Sequence, residues 1–186
     1  MLKGLISLIL IIGTIAASLY ARRLWQFKAR EAQFDSIIID KAKKYNVPPS
    51  LVKALIFRES SFRSHIRGSF KEYGLMQIRS VVADDWCRKK KRANFKHYGI
   101  LLKPEINIEI GTWYLAKGYH KWRNNKERLE LALAQYNAGP KRIYDWQPKK
   151  NDGLFYTRIT IPSTRKYIRI ILAQEKIYLQ ESKSSN

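Results

Sequence analysis

The stretch that decides the fold is Pro49-Ser50-Leu51-Val52-Lys53-Ala54-Leu55-Ile56-Phe57-Arg58-Glu59-Ser60-Ser61-Phe62. Its apolar residues recur at three- and four-residue spacing, which is the period of a helix with one buried face, and Pro49 suits the first turn. The spacing predicts a helix over 50–58 whose apolar face is formed by Leu51, Val52, Leu55 and Ile56. Because Glu59 follows Leu55 by four residues, we expect its carboxyl to lie on or beside this apolar face.

The same helical period recurs on both sides of this stretch. It predicts further helices over 34–45, 105–122, 129–136 and 164–180. The alternation that is typical of strands is nearly absent, and its best candidate, 159–161, is too short to build a sheet. The sequence therefore predicts an all-α fold.

The N-terminal segment differs from the rest in its hydropathy. Residues 5–21 form an almost unbroken apolar run, which is close to the length that crosses a bilayer as a helix. An uncleaved membrane anchor and a cleaved signal peptide both fit this run, and Ala16-Ala17-Ser18 is a tolerable cleavage site for the second. Arg22 and Arg23 follow the run, but the positive-inside tendency is weak for a translocated domain and leaves the orientation open.

These patterns divide the chain into four parts. We expect a transmembrane anchor or signal peptide over 1–21, a basic, helical stem over 22–35, one folded domain over 36–180 and a polar tail over 181–186. A chain of 186 residues has room for one domain with a real core and such a short appendage.

The charge of the chain restricts its partners. Lys and Arg number 36 against 15 for Asp and Glu, which gives a formal net charge of +21. Such a charge favours a polyanionic partner: nucleic acid, an anionic membrane surface or an acidic cell-wall glycan. The single cysteine, Cys87, excludes an internal disulfide and any multi-cysteine metal site, and we expect neither a metal nor a cofactor.

Glu59 has a structural and a functional interpretation. As a structural residue it would end the helix in an ion pair with Arg58 or Arg63. As a functional residue it would have apolar surroundings that raise its pKa from about 4.3 toward about 6, which suits a general acid. The helix alone leaves both interpretations open. Three later segments favour the second: Gly74-Leu75-Met76-Gln77-Ile78, Gln135-Tyr136-Asn137-Ala138-Gly139-Pro140 and Ile161-Pro162-Ser163-Thr164-Arg165-Lys166-Tyr167-Ile168.

With these segments the sequence resembles the catalytic domain of the soluble-lytic-transglycosylase type, in the lysozyme-like superfamily, over about 36–178. The Glu-Ser-x-Phe, Gly-Leu-Met-Gln, Tyr-Asn-Ala-Gly and Thr-Arg-x-Tyr elements of that family stand in order. In this chain they begin at Glu59, Gly74, Tyr136 and Thr164. The resemblance implies a lysozyme-like helical catalytic domain behind the N-terminal helix.

The resemblance also implies a mechanism. Glu59 would protonate the β-1,4 bond between N-acetylmuramic acid and N-acetylglucosamine in peptidoglycan. As a carboxylate it would then take the proton of the muramoyl 6-hydroxyl, which attacks its own anomeric carbon and leaves a 1,6-anhydro end. No second carboxylate is required, whereas glycosidases that hydrolyse usually need two. Asp84 and Asp85 are the other candidates, and we do not expect either to be catalytic.

The matched motifs imply a set of substrate-binding residues. Met76 would make an apolar contact with the sugar, and Gln77 would offer amide hydrogen bonds. Tyr136 and Asn137 would hold N-acetyl and hydroxyl groups, and Tyr167 would reach Glu59 or the sugar. The full set is Ser60, Met76, Gln77, Tyr136, Asn137 and Tyr167.

The chain departs from the family pattern at several positions. Gly68 stands where a serine is common, Gln135 replaces an alanine, and Ser163 stands where a glutamate is frequent. We expect Gln135, a larger polar group than alanine, to lie near the cleft wall, and we expect the substrate contact of the family's serine to differ at Gly68. Glu72, which precedes the Gly74 motif, is typical of a subgroup in which this glutamate is structural, and we expect the same here.

The leading interpretation is therefore a lytic transglycosylase held at the inner membrane by one helix, with its catalytic domain in the periplasm. A secreted periplasmic form is the alternative. Competing functions are a goose-type lysozyme, which hydrolyses with water, and a glycan-binding or secretion-system assembly protein on the same fold. An envelope or secretion complex is a further possible partner. Nucleic acid is not expected as a partner, although the basic run 88–92 and the charge suggest it.

Overall fold

The computed structural model describes residues 2–147 and 153–184, with side chains from residue 9 onward. Its contacts divide the chain into two units, Met1–Phe34 and Asp35–Asn186. The first unit consists mainly of helix α1, Leu2–Ala32. The remaining elements all belong to the second unit.

Helix α1 exposes a series of large aliphatic side chains. Those more than half exposed are Ile9, Leu10, Ile11, Ile12, Ile15 and Leu19. In the described part of the chain, no helix meets the length and hydropathy needed to cross a membrane. The side chains of residues 1–8, within the predicted anchor 1–21, lie outside the described residues, and the anchor stays a prediction.

Helices α2, Asp35–Tyr45, and α3, Pro49–Ser60, begin the second unit. The predicted apolar face of α3 is confirmed, because Leu51, Val52, Leu55 and Ile56 are fully buried. This face packs against α2 and against the last helix, α8, Pro162–Ser184. Helix α3 ends where Ser61 turns into the left-handed region at φ 50° and donates its N–H to the Phe57 carbonyl at 2.9 Å.

A small hairpin follows α3. Strands β1, Glu72–Tyr73, and β2, Ile78–Arg79, pair antiparallel, with Glu72 opposite Arg79. Helix α4, Ser80–Lys89, and a 3-10 turn, Tyr98–Leu102, come next. Residues 159–161, the best strand candidate in the sequence, build no sheet, as expected: they lie between α7, Phe155–Arg158, and α8 and make no ladder.

Helices α5, Pro104–Lys121, and α6, Arg128–Trp146, pack against each other. They approach closely at Gly118, where an added Cβ would lie 3.0 Å from the Ala132 Cα. The predicted end of α6 near Tyr136 is a kink rather than an end, because Gly139 adopts φ 81° and ψ 164° and the helix then resumes. Pro140 fits at this restart, since a proline is tolerated in the first turn of a helix.

The described residues are thus mostly helical, as predicted, with the two-residue strands as an addition. Helix α8 runs to Ser184, so the expected polar tail over 181–186 begins inside this helix. Residues 185 and 186 of that tail lie outside the described residues. The arrangement brings the end of α3, the hairpin, the kink of α6 and the start of α8 together.

Candidate active site

Glu59 lies in the last turn of α3, half-buried at the edge of an open cavity of about 520 Å³. The Tyr167 hydroxyl, from the second turn of α8, donates a hydrogen bond to the Glu59 Oε1 at 2.5 Å. The cavity is lined by Glu59, Phe70, Glu72, Gln77, Arg79, Tyr136 and Asn137. Four separate elements therefore converge on one carboxyl.

Burial raises the pKa of Glu59 to about 7. The hydrogen bond from Tyr167 and the positive charge of Arg58 act in the opposite direction, and the charge of Glu72 adds to the rise. Desolvation is the largest of these effects because a carboxylate loses more hydration than the neutral acid. A pKa near neutrality lets this group give a proton and later take one back.

The ion pair that a structural glutamate would need is absent among the described residues. The Arg58 guanidinium lies over the Tyr167 ring, 5.3 Å from its centroid, and Arg63 donates from Nε to the Ser60 carbonyl at 2.9 Å. Glu59 forms no salt bridge with any described cation. The structural interpretation of Glu59 as the partner of Arg58 or Arg63 is therefore wrong.

The turn from Gly74 to Gln77 brings an amide to the cavity. Gly74 has φ 71°, and an added Cβ would meet the Asn107 Nδ2 at 2.6 Å, so only glycine fits. Gln77 is itself left-handed at φ 48°, and its side-chain amide donates to the Gly74 carbonyl at 2.8 Å. This bond orients the Gln77 side chain at the cavity wall.

Asn107 of α5 holds this turn from behind and was missed in the sequence. Its Oδ1 accepts the Met76 N–H at 2.7 Å, and its Nδ2 donates to the carbonyls of Tyr73 at 2.7 Å and Leu101 at 2.6 Å. Asn107 is fully buried. The signal that could have revealed it is a lone amide inside the apolar helical pattern of 105–122, because a buried amide must find partners.

Two predicted substrate-binding residues lie away from the cavity. Met76 is fully buried and packs on Gly111, where an added Cβ would lie 2.4 Å from the Met76 Sδ. Ser60 is also buried, and its hydroxyl donates to the Ile56 carbonyl at 3.2 Å. Both side chains belong to the framework behind the site, and the contacts of Met76 and Ser60 with the substrate stay predictions.

Tyr136 and Asn137 lie where α6 kinks, and both line the cavity. The Tyr136 hydroxyl donates to the Met76 carbonyl at 2.8 Å, and the Asn137 Oδ1 accepts the Thr164 hydroxyl at 2.9 Å. The second bond occupies the carbonyl of the Asn137 amide and leaves its nitrogen to donate. Gln135, expected near the cleft wall, is buried instead.

A second cavity of about 250 Å³ adjoins the first and shares four lining residues with it. Those shared are Gln77, Arg79, Tyr136 and Asn137. Val81, Val82 and Tyr114 add an apolar and aromatic wall on this side. The two adjoining cavities are together called the cleft, and their lining combines an apolar and aromatic wall with a few polar side chains, as is common in ligand sites.

Asp84 and Asp85 have other partners. Asp84 accepts the Tyr98 hydroxyl at 2.8 Å, and Asp85 pairs with Lys117 at 2.6 Å and Arg88 at 2.7 Å. Neither lines either cavity, whereas Glu72 does. Among the residues with described side chains, no group of three or more His, Cys, Asp or Glu could hold a metal ion.

Phe70 and Arg79 also line the cleft and were not singled out in the sequence.

A mostly helical domain whose cleft holds a carboxyl with a pKa near neutrality fits the class of glycan-cleaving domains, in which a carboxylic acid of raised pKa acts as general acid. The chain belongs to the family of the Transglycosylase SLT domain, whose model matches residues 36–159. It therefore has the lysozyme-like fold of that family.

Named relatives and solved structures agree with this family. The chain is 30% identical over 166 residues to the soluble lytic murein transglycosylase of Escherichia coli (strain K12), covering 85% of this chain and 25% of the relative. It is 40% identical over 107 residues to the membrane-bound lytic murein transglycosylase E of Buchnera aphidicola subsp. Baizongia pistaciae (strain Bp), covering 55% and 50%. The chain thus spans about a quarter of the length of the soluble relative.

The structure of an inactive mutant of lytic transglycosylase Slt from Pseudomonas aeruginosa superposes with a TM-score of 0.70 at 28% identity. The match covers 80% of this chain and 24% of that chain. A complex of the 70 kDa soluble lytic transglycosylase with bulgecin A matches with a TM-score of 0.70 at 26% identity.

Proposed function

We propose that this chain is a lytic transglycosylase that cleaves the β-1,4 bond between N-acetylmuramic acid and N-acetylglucosamine in peptidoglycan. The observation that carries the proposal is the carboxyl of Glu59 at the edge of the cleft: it has no ion pair among the described residues, and burial raises its pKa to about 7. Membership of the SLT family and the names of the relatives support the same polymer as substrate.

The proposed reaction starts with protonated Glu59. The proton passes to the glycosidic oxygen, the bond from that oxygen to the muramoyl anomeric carbon breaks, and positive charge develops on the sugar ring. The muramoyl 6-hydroxyl then attacks the anomeric carbon and gives its proton to the Glu59 carboxylate. Glu59 ends protonated, no water is consumed, and the product carries a 1,6-anhydro bridge.

Tyr167 assists the step of the reaction at which Glu59 is a carboxylate. Its hydroxyl donates to the Glu59 Oε1, and this hydrogen bond is stronger to the carboxylate than to the neutral acid. Burial favours the acid before proton transfer, and Tyr167 stabilises the carboxylate after it. Gln77, Tyr136 and Asn137 would bind the sugars through the amide and hydroxyl groups that line the cleft.

The test compares the full chain with Glu59→Gln on purified peptidoglycan, followed by mass spectrometry of the released fragments. The wild type should release 1,6-anhydromuramoyl ends, and Glu59→Gln should lose about 10²- to 10⁴-fold of the rate. Glu105→Gln, at an exposed glutamate in the first turn of α5, is the matched control and should keep full activity. Equal turnover by Glu59→Gln would contradict the proposal and leave a glycan-binding or assembly protein on the same fold.

A goose-type hydrolase is the second candidate, because Glu72 places another carboxylate in the cleft. Hydrolysis usually uses such a second group to activate water. The two reactions differ in product mass, since the hydrolysed end is heavier by one water. A hydrolysed product from the wild type would therefore replace the first proposal with the second.

We also propose that the N-terminal segment holds the domain at the inner membrane, facing the periplasm. Four consecutive residues, Ile9 to Ile12, are aliphatic and exposed, and successive residues of a helix point in different directions around its axis. A helix that is apolar all round is typical of a membrane span. Carbonate extraction of membranes tests the proposal: the full chain should stay in the membrane fraction, and replacement of Ile11 and Ile12 by Asp should release it.

A further inference from the structure

Glu72 has an unusual environment for a glutamate of a chain with 36 Lys and Arg residues. It is half-buried in strand β1 and lines the same cavity as Glu59. Its cross-strand neighbour is Arg79, which also lines the cavity, yet the two make no salt bridge. Among the described residues no cation forms an ion pair with the Glu72 carboxylate.

The carboxylate of Glu72 is held by the backbone instead. Its Oε2 accepts the Phe70 N–H at 2.9 Å. The side chain lies against Gly68, where an added Cβ would meet the Glu72 Oε2 at 2.3 Å and the Gln77 Oε1 at 2.8 Å. Gly68 therefore leaves a niche for the Glu72 side chain that the Cβ of a serine or alanine would fill.

From this geometry we propose that Glu72 is a positioning residue of the cleft, whose unpaired negative charge, seated in the Gly68 niche, keeps Glu59 in the protonated form with which the reaction starts. The inference rests on the proposed function. It goes beyond the expectation that Glu72 is only structural. It also distinguishes Glu72 from the second carboxylate of a hydrolase, because Glu72 acts here through Glu59 and exchanges no proton with the substrate.

The charged and titratable groups around Glu59 act on its proton in both directions. Arg58 of the same helix favours the carboxylate form of Glu59, and the net charge of +21 acts in the same direction, while Arg79 of β2 lines the same cavity. Burial raises the pKa values of Tyr136 and Tyr167 well above their usual range, so both stay neutral. Glu72 is the one acidic residue besides Glu59 among the described residues that line the cavity, and its charge adds to the larger effect of burial in raising the pKa of Glu59.

The decisive experiment is the pH dependence of kcat/KM for the full chain and for Glu72→Gln, measured on purified peptidoglycan. Activity is lost at high pH as Glu59 loses its proton, so removal of the Glu72 charge should move this alkaline limb to lower pH. We expect a shift of roughly half to one pH unit, with little change below pH 5, where Glu59 is protonated in both proteins.

Two further variants separate position from charge. Gly68→Ser should displace the Glu72 carboxylate from its niche and move the alkaline limb in the same direction as Glu72→Gln. Glu105→Gln removes the same charge from an exposed site and should leave the limb in place. Thermal unfolding of each variant identifies any loss of fold, and Glu72→Asp, which keeps the charge, should retain more of the wild-type profile than Glu72→Gln.

Each outcome decides the inference. An unchanged alkaline limb in Glu72→Gln, an equal loss of rate at every pH, or a wild-type product that is hydrolysed and disappears in Glu72→Gln would each overturn it. The proposed function fails separately, when the wild type releases no anhydro ends or when Glu59→Gln stays active. A wild type that is active, an inactive Glu59→Gln and an unshifted Glu72→Gln would together reject only the role of Glu72.

Discussion

The pKa of the Glu59 carboxyl is set by opposing influences. Burial acts on it directly and favours the neutral acid, whereas the Tyr167 hydroxyl and the Arg58 charge favour the carboxylate. The balance raises its pKa to about 7. A group in this range changes its protonation readily in either direction, which a single residue needs when it acts first as acid and then as base.

Removal of the Tyr167 hydroxyl should disturb this balance in a defined direction. In Tyr167→Phe the carboxylate loses its donor, so the pKa of Glu59 should rise and the alkaline limb of kcat/KM should move to higher pH. This shift is opposite to the one expected for Glu72→Gln. The rate at the optimum should fall about 10- to 100-fold, since a hydrogen bond to a charged group contributes about 1.5–3 kcal/mol.

The measurement for Tyr167→Phe is the pH profile of anhydro-product release. Tyr156→Phe is the matched control, because the Tyr156 hydroxyl donates to the Arg165 carbonyl at 2.9 Å, outside the Glu59 cavity. A limb that stays in place or moves to lower pH in Tyr167→Phe would show that Tyr167 does not stabilise the carboxylate.

The raised pKa of Glu59 also predicts a cost in stability. The folded state binds its proton more tightly than the unfolded chain, so stability falls as pH rises from the unfolded value of 4.5 to about 7 and then stays low. Glu59→Gln removes this effect. It should therefore be more stable than the wild type at pH 8, by on the order of 1–3 kcal/mol, and close to it at pH 4.

Denaturant unfolding at pH 4 and pH 8 tests this expectation for Glu59→Gln. The difference between the two pH values is the informative quantity, because general packing effects of the substitution are the same at both. A stability difference independent of pH would mean that ionised Glu59 is well solvated in the folded protein.

At the scale of the elements, helix α5 lines the second cavity with Tyr114 and also supports the turn that carries Gln77 from behind. Asn107 and Gly111 lie one turn apart on α5, and both face the turn that carries Gln77. Asn107 satisfies the backbone of this turn, and Gly111 leaves the space that Met76 fills. The position of Gln77 therefore depends on two residues that never meet the substrate in the proposed reaction.

Gly111→Ala should displace this turn. The added Cβ would lie 2.4 Å from the Met76 Sδ and 2.8 Å from its Cβ, so Met76 must move together with the carbonyl that accepts the Tyr136 hydroxyl. We expect a loss of about 1–3 kcal/mol in stability, as for overpacked cores, and a lower kcat/KM. Gly99→Ala is the control, since its nearest contact would be the His97 Nδ1 at an ordinary 3.5 Å.

Unfolding free energies and turnover of both variants on peptidoglycan provide the measurement. If the Met76 side chain can avoid the added Cβ by a simple rotation, Gly111→Ala should be as stable and active as Gly99→Ala. That result would contradict the supporting role of α5.

The elements differ in how far the sequence could predict them. Helix α3 followed from its periodicity, because its apolar residues bury a single face. The helix end expected after Tyr136 was wrong, since Gly139 and Pro140 break the helix only locally and packing lets it resume.

The site residues were harder to predict than the helices. Motifs placed Met76 next to Gln77 along the chain, but in the left-handed turn their side chains point to different sides, one into the core and one into the cavity. Asn107 was missed because its partners are remote in sequence.

At the scale of the whole molecule, the charge of +21 and the cleft impose different requirements. A positive surface attracts anionic polymer over distances of about a Debye length, roughly 8–10 Å at physiological salt. The same field favours ionised Glu59 and so opposes its role as an acid. Desolvation and the nearby charge of Glu72 act over shorter distances, where salt screens less.

This difference in range makes salt a means to separate binding from chemistry. Raising the salt concentration from 0.05 M to 0.5 M, roughly a threefold shorter Debye length, should weaken attraction to the wall polymer and raise KM several-fold. The alkaline limb of kcat should move by less than about half a unit, to higher pH, because only the long-range part of the field is lost. A limb that moves by more than one unit with KM unchanged would mean that the net charge, and not burial, governs the proton on Glu59.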